Sequence, residues 1–371
     1  MKFKIILSFL LLILSIQSNA THIIGGYLEY ECIGPRPGGV AYRVNLHLYV
    51  DCGPSSNPIN ESAPLTIFDT NSVIQGSTFM PRVSTQAISD GDFNPCVVND
   101  TSLCAIEEIY TDLIVVDSNQ AHIISYQRCC RNHVIDNLHK PDTQGVTYTL
   151  RIPAYDQIGC NTSPSFQSIP PISFCADYDL NDSLSAFDAD GDSLVYSLCA
   201  PLNYSNVDDP RPFPTNTPPY PEVPFLSPYS AQSPMAANPP ISIDSLNGIL
   251  SGSPTQVGQY VIGFCVSEYR NGVLLSTSRR DIQVNIERCD PVITTAVQDQ
   301  EQFCQGYTVQ FTNLSFSNET DTLLYFWDFG DTTTLADTSH DKEPFYTYPD
   351  TGLYTITLVT NPGYACSDTS T

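Results

Sequence analysis

Several short stretches of this chain alternate strictly between apolar and polar residues. From Ala41 to Val50, every second residue from Tyr42 onward is large and apolar, and Val146–Ile152 and Asp281–Glu287 repeat the pattern. A period of two residues predicts strands with one face buried. His47 falls in the polar phase of its stretch and is therefore expected to be a solvated histidine.

Two Asn-Gly dipeptides lie between such stretches. Asn247-Gly248 and Asn271-Gly272 each separate two short runs rich in Ile, Val and Leu. Tight hairpin turns favour Asn-Gly because both central positions need a positive φ. The sequence therefore predicts two β-hairpins at these positions. Helix signals are weak, and 29 prolines and 20 glycines divide the chain into short segments, which is typical of β-sandwiches.

The first twenty residues follow a different pattern. Lys2 and Lys4 precede an apolar run over residues 5–14, and small residues end the segment at Ala20. This arrangement is that of a secretory signal peptide. The apolar run is shorter than the roughly 20 residues that span a bilayer. We expect residues 1–20 to be removed, and the remaining chain to be secreted or held at the outer cell surface without membrane insertion.

The remainder is long enough for two or three domains, at about 100–200 residues each. We predict units at residues 21–156, 157–289 and 290–371. Within the second, residues 201–240 hold twelve of the 29 prolines. Proline cannot donate a ladder hydrogen bond, so this insert is expected to be a long loop over the sandwich.

Composition narrows the classes of partner. Apolar residues make up 41% of the chain, and with 21 tyrosines and 17 phenylalanines they suffice for several cores. Fifteen basic residues face 40 acidic ones, for a formal net charge of −25. Such a surface repels nucleic acid and anionic membranes, and it can collect divalent cations.

Thirteen cysteines in an exported chain predict disulfide bonds, with one cysteine left over. Adjacent cysteines on an extended strand point to opposite faces, so Cys129 and Cys130 are expected to bond two neighbours rather than each other. Cys32, Cys52, Cys96 and Cys104 could supply the partners. The connectivity stays open. The candidate structural cysteines are Cys96 and Cys104, which enclose a short loop, Cys129, Cys130, and Cys304 with Cys366, which could staple the third unit.

One acidic turn is a candidate metal site. Asp188, Asp190 and Asp192 alternate around Gly191, and such carboxylates can converge on one point with the hard oxygen ligands that suit calcium. Three further aspartates could complete the shell: Asp177, Asp179 and Asp182. The twelfth position from Asp188 is Cys199, so this is not an EF-hand. The alternative is an acidic β-turn that leads into a strand at residues 193–198.

No catalytic motif is present. The chain lacks the nucleophile elbow Gly-x-Ser-x-Gly, the zinc motif His-Glu-x-x-His and a phosphate-binding loop. Cys129 lies near His133, but a disulfide-bonded cysteine cannot act as a nucleophile. We therefore expect no enzymatic activity.

Four segments together resemble one group of large bacterial surface proteins. They are Thr21–Gly26 (THIIGG), Tyr42–Cys52, Tyr126–Asn132 (YQRCCRN) and Phe187–Leu202. The proteins they resemble occur in gliding Gram-negative bacteria and leave the cell by the type IX secretion route. The resemblance implies further Ig-like repeats and a C-terminal gliding-motility sorting domain.

Two further resemblances concern single units. The run Asn247–Tyr260, with its Asn-Gly and Leu-Ser-Gly elements, is similar to cadherin-like domains of bacterial surface proteins. The third unit resembles the PKD domain through Trp327, Asp328, Gly330, Asp331, Gly352 and Tyr354. Tyr346 stands where that family has His. A PKD sandwich would need one more strand after Thr371, so we expect an incomplete unit in a piece of a longer protein.

The sequence thus predicts an all-β protein of tandem Ig-like β-sandwich domains: an N-terminal Cys-rich β domain, a cadherin-like domain and a PKD domain incomplete at its C-terminus. Its predicted function is adhesion or spacing at the cell surface, with an extracellular polysaccharide or a protein surface as partner and calcium as a possible ion. The alternative is a carbohydrate-binding accessory region of a larger secreted hydrolase.

Overall fold

The computed structural model describes residues 23–53, 61–88, 104–169, 171–288, 293–297, 306–317, 323–364 and 366–371. The predicted signal peptide, Cys96 and Cys304 lie outside these residues. The described chain is nearly all β, as the alternating pattern predicts. We refer below to the first, second and third units in the sense of the predicted boundaries.

The described residues of the first unit form seven strands. They are β1 (Ile23–Arg36), β2 (Gly39–Asp51), β3 (Ser62–Asp69), β4 (Ile74–Ala87), β5 (Ala105–Val116), β6 (His122–Cys129) and β7 (Gly145–Ile152). A 3₁₀ turn at Pro141–Thr143 precedes β7, and a single helical turn, α1 (Tyr155–Ile158), follows it.

In the second unit, the part that the structure describes has nine strands and the proline-rich insert. They are β8 (Ser165–Phe166), β9 (Ser173–Cys175), β10 (Leu180–Ser183), β11 (Ala186–Phe187), β12 (Ser193–Leu198), β13 (Ser242–Ile243), β14 (Ile249–Gly252), β15 (Gly258–Arg270) and β16 (Val273–Glu287). Residues 201–240 form no named strand, as predicted. Both predicted hairpins are confirmed, because β13 pairs with β14 and β15 with β16.

Eight short strands lie in the described ranges of the third unit. They are β17 (Ile293–Thr294), β18 (Thr308–Gln310), β19 (Phe316–Ser317), β20 (Tyr325–Asp328), β21 (Thr338–Ser339), β22 (Phe345–Thr347), β23 (Thr357–Thr360) and β24 (Asp368–Ser370). Asp368–Ser370, which we placed before a missing strand, itself forms the edge strand β24 against β23. That a further strand follows stays a prediction.

One large sheet crosses the boundary between the first two units. Its strand order is β12-β15-β16-β1-β2-β5-β4-β3-β6-β7, with β9 also paired to β16. The crossing is the antiparallel pairing of Gly25 with Ile282 and Gly26 with Asp281. A side chain on Gly25 would meet the Asp281 carbonyl oxygen at 2.4 Å, so the glycine permits this close approach.

The described residues form three large hydrophobic cores, and residues of the first unit such as Tyr27 and Tyr49 also belong to the second core. In the first, the apolar phase of β2 is fully buried, including Val44, Leu46 and Leu48. Tyr260, Ile262 and other residues of β15 and β16 fill the second core, and Trp327 lies in the third. Burying one such side chain contributes on the order of 1.5–3 kcal/mol, so the alternating strands account for much of the folding free energy.

The prediction of a solvated His47 is wrong. Its side chain is 12% exposed and lies between Glu29 and Glu107, with ring nitrogens 3.3 Å and 2.9 Å from their carboxylate oxygens. Tyr27 stacks on the imidazole at 4.4 Å, and Phe166 of the second unit packs against Tyr27. The polar face of β2 is therefore covered at His47, by Tyr27 and behind it by Phe166 of the second unit, which the alternation of β2 alone cannot reveal.

Candidate functional site

The acidic turn directly precedes β12. The Asp188 Oδ1 atom accepts hydrogen bonds from the backbone N–H groups of Asp190, at 3.0 Å, and Asp192, at 2.9 Å. Gly191 adopts φ +80°, a conformation that glycine reaches without strain. These contacts bend the chain tightly and bring the three predicted carboxylates together.

A fourth carboxylate comes from Glu268 on β15. Glu268 pairs with Leu194 of β12, which places it beside the turn. One ligand oxygen from each of Asp188, Asp190, Asp192 and Glu268 lies within 4.8 Å of the others. The upstream aspartates that we suggested are not part of this group. We call these four residues the acidic cluster.

Two carboxylates of the cluster are deeply buried. Glu268 is 0% exposed and Asp188 8% exposed. The Ser276 hydroxyl donates to Glu268 Oε2 at 2.7 Å, but Glu268 Oε1 and Asp188 Oδ2 have no hydrogen-bond partner among the described residues. Burial raises the pKa of Glu268 to about 7 and also raises the pKa of Asp188. Desolvated carboxylate oxygens without donors would be satisfied by a hard cation.

Arg270 already neutralises the outer side of the cluster. Its Nε and Nη2 atoms donate to the two oxygens of Asp192 at 2.8 Å and 2.6 Å, and Nη2 lies 3.5 Å from Asp190. These hydrogen bonds hold the pKa of Asp192 below its usual range. One guanidinium faces four carboxylates, and it contacts Asp190 and Asp192, so Asp188 and Glu268 have no cationic partner among the described residues.

The same arginine connects the cluster to the chain between the units. Arg270 donates to the Ile158 carbonyl at 3.1 Å and to the Asn161 side-chain oxygen at 2.7 Å. The Thr162 N–H donates to Asp190 at 2.7 Å. Residues 158–162 directly follow the last residues of the first unit in the chain. The acidic cluster therefore lies at the junction of the first two units.

Glu268 left one signal in the sequence. In β15, Phe264 and Val266 belong to the apolar phase, and Glu268 is the next residue of that phase. All three are buried. A carboxylate in the apolar phase of a strand indicates a buried charge that needs a partner, but alternation cannot say which turn supplies it.

The disulfide pattern corrects the expected use of the cysteines. Cys129 bonds Cys130, its own neighbour, so the expectation that they pin two other strands is wrong. Cys104 bonds Cys52 rather than closing a loop with Cys96. The remaining pairs between described residues are Cys32–Cys160 and Cys199–Cys265. Cys366 is disulfide-bonded, and its pairing with Cys304 stays a prediction.

The residues of the Trp-Asp-Phe-Gly-Asp motif serve the fold of the third unit. Trp327 is 0% exposed, and its indole N–H donates to the Asp341 carbonyl at 3.0 Å. Asp328 Oδ1 accepts from the Gly330 N–H at 2.8 Å, which closes the turn. The Asp331 carboxylate accepts from the Tyr346 hydroxyl at 2.9 Å, so tyrosine fulfils a structural role at the position where the PKD family has His.

The last two motif residues flank the same core. Tyr354 packs on Tyr348 with ring centroids 4.0 Å apart and donates to the Asp350 carbonyl at 3.0 Å. Gly352 lies two residues before it. A ligand could not stack on the buried Trp327, so these aromatic residues form a core rather than a binding face.

Three comparisons relate this chain to known proteins. A family model of the PKD domain matches residues 289–371. Among solved structures, a chain from work on Dscam isoform specificity has 8% identity, with 91% of this chain and 88% of that chain covered and a TM-score of 0.18. The N-terminal four Ig domains of Dscam1 isoform 6.44 have 9% identity, coverage of 90% and 87%, and a TM-score of 0.17.

No curated protein matches the chain. Within the part that the structure describes, no helix has the length and apolar character needed to cross a membrane. The chain is a nearly all-β protein built of several sheets, and its residues 289–371 are similar to the PKD domain.

Proposed function

We propose that this chain is a non-enzymatic adhesion or spacer module of a longer protein, secreted or held at the outer cell surface. The observation that carries the proposal is the fixed junction between its first two units. A spacer or adhesion module transmits force and presents a surface at a defined angle, so it needs such a junction. The resemblance to surface proteins of gliding bacteria supports the same location and suggests export by the type IX route.

The junction combines backbone pairing with buried polar contacts. Beside the pairing of β1 with β16, Arg131 of the first unit donates to Asp281 of β16 at 2.6 Å. Tyr148 donates to the other oxygen of Asp281 at 2.9 Å. Both charged side chains are at most 3% exposed, so water does not compete for the ion pair. Independent hinge motion of the two units would expose these charges.

We also propose that the acidic cluster holds a calcium ion. Asp188, Asp190, Asp192 and Glu268 would supply the oxygen ligands. The buried oxygens of Asp188 and Glu268 that lack donors support this choice. The ion would offset the excess negative charge and stabilise the turn beside the junction.

A thermal-unfolding titration tests the calcium site. A ligand that binds only the folded state at 100 times its Kd contributes about 2.7 kcal/mol, so calcium is expected to raise the Tm of residues 21–371 by about 5 °C over EDTA. Asp188→Asn and Glu268→Gln should each remove most of that shift. Asp244→Asn is the matched control, since Asp244 also closes an exposed turn but lies outside the cluster. An unchanged Tm of the wild type in calcium would refute the site.

A flow assay tests the adhesion function. Beads carrying residues 21–371 should adhere to protein-coated or polysaccharide-coated surfaces under shear, whereas beads carrying the heat-unfolded chain should not. Broad hydrolase screens on the same protein should stay blank. Equal adhesion of folded and unfolded chains would count against the proposal, and so would turnover of a substrate.

One exposed aromatic pair favours the alternative, a carbohydrate-binding accessory region. Phe79 and Phe213 are 54% and 45% exposed, and their rings lie 4.3 Å apart. Aromatic faces on a protein surface can stack on sugar rings. In a glycan array, specific binding that Phe79→Ala and Phe213→Ala abolish would support this alternative, and binding that neither variant changes would remove its structural basis.

A further inference from the structure

An open groove of about 600 Å³ lies where the first two units and the proline-rich insert meet. Thr149 and Arg151 of β7 form one wall, and Leu275 and Thr277 of β16 form another. The segment Pro218–Tyr220 of the insert closes a third side. We call this space the β7 groove.

Strand β7 is the last strand of the large sheet and pairs with β6 on one side. In an antiparallel pair, every second residue directs both its N–H and its C=O away from the partner strand. The Thr147 N–H donates to the Leu202 carbonyl of the insert at 3.2 Å, which identifies the outward phase. By the same alternation, the backbone groups of Thr149 and Arg151 face the β7 groove.

The insert covers only the start of this edge. Leu202 forms an isolated bridge with Thr147 and another with Glu222. Beyond it, the described residues offer no backbone partner to the outward groups of Thr149 and Arg151. The pairing of Thr147 with Leu202 shows that the outer edge of β7 can pair with another strand. Thr149 and Arg151 offer two further pairing positions along the same edge.

The opposite wall presents a second edge. The Asn285 N–H donates away from β15, to the Ile172 carbonyl, so alternation directs the backbone groups of Thr277 away from β15 as well. The Leu275 carbonyl accepts from Arg151 Nη1 at 2.7 Å across the groove. The Leu275 carbonyl is therefore already used, and on this wall the outward groups of Thr277 are the ones that an extended segment could engage.

We propose that the β7 groove binds an extended peptide of a protein partner by strand addition to β7. The peptide would continue the pairing that Leu202 begins and form main-chain hydrogen bonds with Thr149 and Arg151. Its alternate side chains would contact Leu202 and Leu274, two of the apolar residues that line the groove. Arg151 is the groove's single charged lining residue, so an acidic residue in the peptide would pair with its guanidinium.

The main-chain groups favour a peptide over a glycan as the occupant. A glycan would be recognised by side chains and would not require an unpaired strand edge. Natural proteins usually block such edges with lysine, proline or a covering segment, because they attract other strands. Here the proline-rich insert, which is the covering segment, pairs with β7 only at Thr147. Peptide binding in the β7 groove would require neither the calcium ion nor adhesion.

A random dodecapeptide display library, selected on residues 21–371, tests the proposal. Thr149→Pro removes the outward N–H, and proline is tolerated on an edge strand whose N–H faces solvent. Thr149→Val is the matched control, because it keeps the amide and alters only the side chain. Enriched peptides should bind Thr149→Pro at least 10-fold more weakly than the wild type, and Thr149→Val within about 2-fold.

Amide hydrogen exchange on the wild type supplies a readout that does not require a folded variant. A saturating enriched peptide should slow exchange at Thr149 and Arg151 at least 10-fold and leave Thr111, in the middle of the sheet, unchanged. Selection that yields no peptide, peptides that bind both variants equally, or exchange at Thr149 that stays fast would each overturn the proposal. So would glycans that bind the groove and are insensitive to Thr149→Pro.

Discussion

At the scale of single residues, the environment of a side chain could be predicted where its partners are close in sequence and not where they are distant. Asp188, Asp190 and Asp192 were found from sequence because three carboxylates in five residues leave a local pattern. Glu268 was not found, because its approach depends on the pairing of β15 with β12. His47 was misjudged for the same reason: the residues that bury it belong to another part of the chain.

His47 should make stability depend on pH. Burial disfavours its charge, but hydrogen bonds to Glu107 and Glu29 outweigh this and raise its pKa to about 9. The unfolded value is about 6.5, so the contribution is full below that pH and is lost as pH rises through about 9. We expect a fall of about 3 kcal/mol in the free energy of unfolding across this range, measured by urea unfolding.

His47→Gln should flatten this part of the pH profile. The exposed His133 provides the control, and His133→Gln should leave the profile unchanged. A wild-type profile that is flat between pH 6.5 and pH 9 would contradict the assignment.

Gly330 should tolerate no side chain. It adopts φ +70°, and a Cβ atom would lie 2.3 Å from the Thr355 carbonyl oxygen. Gly330→Ala should therefore cost about 2–4 kcal/mol, from backbone strain and from the collision. Gly363 has φ +83° but open space around it, so Gly363→Ala should cost only about 1 kcal/mol.

Fluorescence of Trp327 during chemical unfolding measures both variants. Trp327 is the only tryptophan in the chain, so its signal reports the third unit alone. Equal losses of stability in the two glycine variants would show that the contact with Thr355 is unimportant.

At the scale of elements, local patterns predicted what is local. The alternation of β2 and β7 and the Asn-Gly turns identify strands and hairpins correctly, because burial on one face and positive φ act within a few residues. The pairing of β1 with β16 left only the Gly25-Gly26 pair as a trace. Adjacent cysteines were misjudged because we assumed that Cys129 and Cys130 project to opposite sides of a regular strand.

The Cys32–Cys160 bond should contribute more than any local contact. Its residues are 128 positions apart, and closing such a loop in the unfolded chain corresponds to about 5 kcal/mol. Cys32→Ala/Cys160→Ala should lower the free energy of unfolding of the first two units by about that amount in calorimetry or denaturant titration.

The control is Cys129→Ala/Cys130→Ala, whose bond joins residues one position apart and closes almost no loop. If both double variants lose the same stability, loop entropy is not the source of the effect.

At the scale of the whole molecule, the first two units should unfold as one body. Arg131→Met leaves Asp281 buried without its cation, and the loss should be about 3–5 kcal/mol. Arg131→Met/Asp281→Leu removes both charges and should recover much of that stability. Differential scanning calorimetry measures the shared transition, and Trp327 fluorescence serves as an unchanged internal reference.

Two separate transitions for the first and second units of the wild type would contradict the fixed junction. A double variant that is no more stable than Arg131→Met would show that the charges contribute less than the packing around them.

The pairing of β1 with β16 also sets an order in time. Gly25 cannot form its pairing with Ile282 until that residue has been synthesised, roughly 250 residues later in the chain. At roughly 5–20 residues per second, a growing chain holds its first strand without that neighbour for tens of seconds. Whether it emerges from a ribosome or through a translocation pore, the N-terminal end must stay incompletely folded until the end of the second unit arrives. A chaperone that binds exposed strands would find its longest-lived target at the beginning of the protein rather than at its end.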